Sequence, residues 1–222
     1  MLQDPDGPRQ LLEALQLGFP ALFSIVNPIG GAFVFQSMTS DAEPFVQTRL
    51  ARSVAFYSLI VMLTSLWGGS LVLSFFGVSL GALRCAGGTV IALNAYKLLN
   101  APEREPVATS KASEDMAFFP LTIPITAGPG TISVAVALSS KHPRNWDGLI
   151  WYFLGLSLAG FAVALAIWFA YGSAHWITRL FGEHGARIFG RLMAFLLLCI
   201  GVQVLITGVY DVLTPILHPE NG

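Results

Sequence analysis

The chain has 222 residues, of which 54% are hydrophobic and 11% charged, and its formal net charge is −1. A soluble domain carries about a quarter charged residues, so this composition excludes a water-soluble globular protein. The near balance of charge also excludes a nucleic-acid-binding surface.

Taken in order, residues 1–9 carry Asp4, Asp6, Pro5, Gly7 and Pro8 and read as a short polar lead, not as a removable signal peptide. Apolar runs follow at 11–39, 53–76, 81–99, 116–140, 147–171 and 187–210. Each is near or above the roughly 20 residues that cross a bilayer core. The intervals 40–52, 100–115, 141–146 and 172–186 collect most of the charge and predict loops. The expected fold is therefore all-α and transmembrane, one integral membrane domain over 1–222 with six helices. The segment 101–115, with Pro102 and Pro106, divides residues 10–100 from 116–211 as a linker. Trp146, Trp151, Tyr152, Trp168, Tyr171 and Trp176 flank the fifth span and read as interface anchors. Cys85 and Cys199 lie inside apolar runs and read as small hydrophobic filler.

Two of the runs are interrupted. Phe19-Pro20 through Asn27-Pro28-Ile29-Gly30-Gly31 has an echo 100 residues later, Phe119-Pro120 through Ala127-Gly128-Pro129-Gly130-Thr131. That shift matches Phe19 with Phe119, Pro20 with Pro120, Ile25 with Ile125 and Gly30 with Gly130. Proline has no N–H and clashes with the carbonyl four residues back, and glycine weakens a helix. Arg84-x-x-Gly87 and Arg187-x-x-Gly190 open the third span of each half with a common spacing. Three spans per half is an odd number, so the halves enter the membrane from opposite sides. The expectation is two inverted three-helix repeats with discontinuous first and fourth helices, an arrangement common among secondary transporters. Arg49, Arg52, Lys97, Arg104, Lys111, Arg179, Arg187 and Arg191 follow odd-numbered spans, against Arg9, Arg84, Lys141 and Arg144 on the other side. The positive-inside rule then puts both termini outside and the linker in the cytoplasm.

Backbone interrupted within a bilayer costs several kcal/mol per unpaired group unless protein or a wet cavity satisfies it. Beyond each break a half-helix starts with unpaired N–H groups and a partial positive charge, which suits a carboxylate. The carbonyls freed before it suit an ammonium group or a cation. Paired and inverted, such ends fit a small zwitterion held near the bilayer midplane. Taken singly, either break also reads as a packing kink, Asn27 as a helix cap and Thr131 as its equivalent. Asn94 and Gln203 read as interhelical hydrogen-bonding groups, with cavity lining as the alternative. Gly68, Gly69, Gly87, Gly88, Gly155 and Gly160 read as sites of close helix packing. Glu13, Asp147 and Asp211 lie near span ends, and His142, His175, His184 and His218 fall in loops or the tail. That leaves no carboxylate relay, no catalytic base beside a nucleophile and no metal-ligand cluster, so neither an enzyme nor a bound cofactor is expected. Coupling to sodium or protons stays open.

Asn27-Pro28-Ile29-Gly30-Gly31 after Phe23-Ser24-Ile25-Val26, and Pro124-Ile125-Thr126-Ala127-Gly128-Pro129-Gly130-Thr131-Ile132-Ser133, resemble the two signature breaks of the MarC family. This is also called the SnatA-type neutral amino acid transporter family. The resemblance covers roughly residues 10–211. It implies six spans in two inverted repeats, a substrate site where the discontinuous first and fourth helices meet, and transport of small neutral amino acids such as glycine and alanine. Carried onto this chain, the substrate-binding positions are Asn27, Pro28, Gly30 and Gly31 at one break. Those at the other are Gly128, Pro129, Gly130 and Thr131. Phe33-Val34-Phe35-Gln36 is a departure, since many relatives place a further proline there.

The function expected is secondary transport of a small neutral amino acid across the cytoplasmic membrane by alternating access, with membrane lipid as the other partner. A passive channel or exporter of another small solute, and a non-transporting membrane assembly protein, are the alternatives. The sequence sets no oligomeric state.

Overall fold

The computed structural model describes residues 7–39, 42–100, 116–140 and 146–217. The linker 101–115, together with Lys141, His142, Arg144 and His218, lies outside them. The described chain is helical: α1 (Gly7–Val26), α2 (Pro28–Thr39), α3 (Pro44–Phe75), α4 (Leu80–Leu99), a π-helical segment (Ala117–Thr126), α5 (Pro129–Ser139), α6 (Trp146–Gly172) and α7 (Ala174–Leu217). Prolines open α2, α3 and α5, where a missing N–H costs nothing. The turn from α3 to α4 is a Schellman motif: Gly77 takes φ +65°, its N–H donates to Ser74 O, and the Val78 N–H donates to Leu73 O. Ser79 Oγ then accepts the Ala82 N–H at 3.1 Å and caps α4.

Among the described residues, four stretches are long and apolar enough to cross a membrane: Gly7–Thr39, Pro44–Phe75, Gly148–Gly172 and Gly190–Thr214. Of the six spans expected from sequence, 81–99 and 116–140 are thus not single long apolar helices. The first is diluted by Arg84, Asn94, Lys97 and its glycines, and the second is broken. Two expected loops are largely helix. Residues 44–52 begin α3, and 174–186 begin α7, whose 44 residues extend about 66 Å at helical rise. Between Ser173 and Pro215 the sequence holds no proline to stop that helix.

The seam between α4 and α7 is a close one, and it is built from glycine. The helices run antiparallel, with Gly81 opposite Gly208 and Gly88 opposite Gly201, seven residues apart on each strand of the seam. A Cβ on Gly88 would lie 2.5 Å from the Leu205 nitrogen and 2.7 Å from the Gly201 carbonyl oxygen. One on Gly201 would lie 2.6 Å from the Ala92 nitrogen. Of the glycines expected to allow close packing, Gly69, Gly87, Gly88 and Gly155 meet neighbours closely. Gly68 meets nothing within 4 Å, and Gly160 only Leu66 and Met62 at 3.9 Å.

Elsewhere α1 packs on α6, α3 on α6, α5 on α3 and α4, and α2 on α6 and α7, while the π-helical segment lies along α3. Leu22, Phe35, Leu50, Met62, Leu66, Leu121, Leu156 and Ile167 are fully buried between them. The outward faces carry Phe56, Ile60, Leu71, Phe161, Leu165, Phe169, Leu196 and Ile206, all exposed. A continuous apolar exterior of this kind faces hydrocarbon, since in water it would aggregate.

Candidate functional site

The first break is one residue wide. Asn27 takes φ +47°, a left-handed conformation that asparagine tolerates better than most residues, and this ends α1. Its side chain then starts the next helix: Asn27 Oδ1 accepts the Gly30 N–H at 3.1 Å, and its carbonyl accepts the Gly31 N–H at 2.9 Å. Asn27 is thus the N-cap of α2, with Pro28 at the first helical position. The helix continues through Phe33-Val34-Phe35-Gln36 to Thr39 without interruption. Replacing Asn27 by alanine is expected to lower stability by about 2 kcal/mol, part from the cap and part from the left-handed dihedral. Glycine there should cost only a few tenths. Unfolding midpoints in detergent measure both, and equal losses in the two variants would refute the dihedral account.

The second break is wider and built differently. The π-helical segment contains two extended residues, Phe119 (φ −129°, ψ 124°) and Ile123 (φ −111°, ψ 122°). Each precedes a proline, whose ring disfavours helical geometry in the residue before it. The sequence Phe119-Pro120-Leu121-Thr122-Ile123-Pro124-Ile125-Thr126 is a tandem of the same four-residue pattern, and its threonines act alike. Thr122 Oγ1 donates to Ala117 O and Thr126 Oγ1 to Leu121 O, both at 2.6 Å and both five residues back. Before the gap, the first part of the expected span 116–140 is therefore a proline-spaced, threonine-braced segment and not a regular helix. Ala127 and Gly128 then form the gap, and α5 begins at Pro129 with no side-chain cap. Thr131 is buried in the first turn and is not the cap that Asn27 is. By geometry Pro28 corresponds to Pro129, a shift of 101 residues, so the 100-residue register that paired Gly30 with Gly130 is out by one at the breaks.

The two breaks lie close together. The Ile25 Cδ1, just before the first, is 3.6 Å from where a Cβ on Gly130 would sit. Each break also faces the third long helix of the other half: a Cβ on Gly30 would meet Met193 Cβ of α7 at 3.0 Å, and one on Gly130 would meet Ile91 Cγ1 of α4 at 2.6 Å. Tyr171 of α6 joins them. Its ring stacks on Phe35 of α2 at 4.9 Å between centroids and packs against Gly31, while its hydroxyl is 2.8 Å from Thr126 Oγ1. Because Thr126 spends its hydrogen on Leu121 O, Tyr171 is the donor of that bond. Tyr152 donates to Leu138 O at 2.9 Å near the far end of α5. Both tyrosines are buried, so they are not the interface anchors that their positions in sequence predict; Trp168 and Trp176 do stand exposed. A span-end tyrosine gives no sequence signal that distinguishes the two roles.

A cavity of about 260 Å³ lies beside the second break, between α1, α4, α5 and α7. Its polar lining is Arg84, Ser133, Gln203 and Thr207, and Leu17 and Ala21 contribute apolar wall. Gln203 thus takes the cavity-lining alternative. None of the eight predicted residues lines it, although Ser133 is one helical turn past Gly130. Arg84 Nη1 pairs with Asp211 Oδ2 across the α4–α7 seam. That pair also forms part of the wall of an outer recess with Ser79, Leu80, Gly81 and Val212.

The description "MarC family integral membrane protein" matches residues 12–213. This chain belongs to the MarC family. Among curated MarC relatives, the inner membrane protein MarC of Citrobacter koseri is 32% identical over 91% of this chain and 97% of its own length. The inner membrane proteins MarC of Escherichia coli O1:K1 and of Shigella flexneri are each 31% identical over the same shares. No solved structure matches the chain. Membership in the MarC family makes it an integral membrane protein, in accord with the apolar exterior.

Proposed function

We propose that this MarC family protein is a secondary transporter of small neutral amino acids in the cytoplasmic membrane, working by alternating access. On this reading the six crossings form two inverted three-helix repeats, and the solute passes the paired breaks near the bilayer midplane. The observation that carries the reading is the meeting of two interrupted helices whose surroundings correspond. Exchanging α1–α2 with the π-helical segment and α5, α3 with α6, and α4 with α7 carries the principal helix contacts onto one another, the slight contacts of α6 with α5 and α7 aside. Gly30 against α7 and Gly130 against α4 exchange in the same way. A two-fold axis in the membrane plane has this effect, and binding sites of secondary transporters lie on such repeat interfaces. The uncapped start of α5 offers N–H groups to a carboxylate, with Gly128 and Gly130 adding no bulk. The excess of Lys and Arg after odd-numbered spans supports both termini outside.

Purified protein in liposomes is expected to accumulate labelled glycine or alanine under a sodium or proton gradient, with saturation. Gly130→Leu, which thrusts a branched chain into Ile91, should bring uptake to background. Absence of uptake or exchange by the wild type under every gradient would remove the transport reading. Flux that never saturates and needs no gradient would replace it with a channel.

A further inference from the structure

The polar cavity beside α5 holds a group that the fold itself does not use. Ser133 borders this cavity, is 0% exposed, and its Oγ has no hydrogen-bond partner. A buried hydroxyl left unpaired is costly, so it points to a guest that supplies the missing acceptor. Arg84 faces the same space with its side chain 17% exposed. A guanidinium has five N–H donors, and the pairing described for Arg84 is a single contact, Nη1 to Asp211 Oδ2. The remaining donors can receive a carboxylate without breaking that pair. Thr207 spends its hydrogen on Gln203 O at 2.9 Å, so its oxygen, with the Gln203 side-chain amide oxygen, is left to accept. Donors thus gather at Arg84 and Ser133, and acceptors at Gln203 and Thr207.

Net charge selects among solutes. Arg84 and Asp211 together are neutral, so a bare anion would leave an uncompensated charge in a low-dielectric site, whereas a zwitterion would not. The volume, about 260 Å³, is below the range of about 300–1,000 Å³ that suits drug-sized ligands and leaves room for a solute of few heavy atoms. We propose that this cavity is a binding station for a small α-amino acid zwitterion, its carboxylate held by Arg84 and Ser133 and its ammonium group turned to Gln203 and Thr207. The proposal rests on the transport reading for the class of solute. It differs in location, one turn beyond Gly130 and not between the breaks.

The test is equilibrium binding of labelled glycine and alanine to the purified full chain in detergent, with acetate as the bare-anion probe. Ser133→Ala removes a hydroxyl that holds nothing, so the unliganded melting temperature should not fall. Glycine affinity should drop about tenfold or more, as for a hydrogen bond to a charged group. Arg84→Gln combined with Asp211→Asn keeps a neutral pair of similar shape and should abolish binding. Acetate should not compete. Wild-type affinity in both variants, competition by acetate, or no binding of either amino acid to the wild type would each overturn the proposal. Uptake that persists while both variants bind normally removes only this cavity's role. Binding that depends on Arg84 and Ser133 in a protein that moves no solute removes only the transport reading.

Discussion

Gly88→Leu and Gly201→Leu are each expected to abolish assembly of the α4–α7 pair, with a loss of at least about 3 kcal/mol. Helices in a bilayer gain nothing from hiding apolar surface from water, so their association depends on close approach between small residues. Here the atoms that an added side chain would strike are the Leu205 nitrogen, the Gly201 carbonyl and the Ala92 nitrogen. Main chain cannot rotate away as the tip of a leucine can, so the helices must part. Gly160→Ala is the control, because its nearest neighbours stand at ordinary contact distance. Unfolding midpoints in detergent or mixed SDS micelles measure the series. Midpoints at 88 and 201 equal to that of Gly160→Ala would show that the seam tolerates separation.

Tyr171 carries the second large effect. Truncation to alanine removes a ring that is 2% exposed, stacked on Phe35 and packed against Gly31. The expected loss is about 3–5 kcal/mol, as for other buried aromatic truncations. Tyr171→Phe deletes only the hydroxyl. Thr126 keeps its bond to Leu121 O, so that variant should lose about 1 kcal/mol or less. Uptake should separate the two further. Phenylalanine keeps the ring that holds α2 and leaves activity measurable, whereas alanine frees α2 from α6 at the break. Similar stability in both variants would mean that the hydroxyl, and not the ring, joins the two halves.

The positions of both breaks were legible in the sequence because they follow from covalent chemistry: Pro28 and Pro129 have no N–H to give. The membrane setting was legible from composition. Contents of the second break were harder to read: Phe119 and Ile123 stand before prolines, which disfavours a helix there, yet Phe19 stands before Pro20 and is helical in α1. The seam was half visible. Gly87 and Gly88 invited close packing, but only the pairing of Gly81 and Gly88 with Gly201 and Gly208 shows where. Such a pairing joins residues more than a hundred positions apart, which local pattern does not encode. For the same reason Tyr171 reads as an anchor when its partners are Phe35 and Thr126, and Arg84 reads only as the opening of the third span when it is held by Asp211. The helical start of α7 gives no such signal, because its polar composition reads as loop, yet without proline a polar stretch can continue a helix.

The dissimilar construction of the two breaks bears on how the protein can move. Asn27 clamps the first with its own side chain, so α1 and α2 pivot on a single residue already engaged at both ends. Before the second, Thr122 and Thr126 lash a proline-rich strut into one stiff piece, and α5 beyond it is a regular rod. Flexion in that half falls on the torsions of Ala127 and Gly128 alone. On the proposed transport reading, the later half is the one built to swing and the earlier half the post it swings against, an inequality that near-equal halves of sequence conceal.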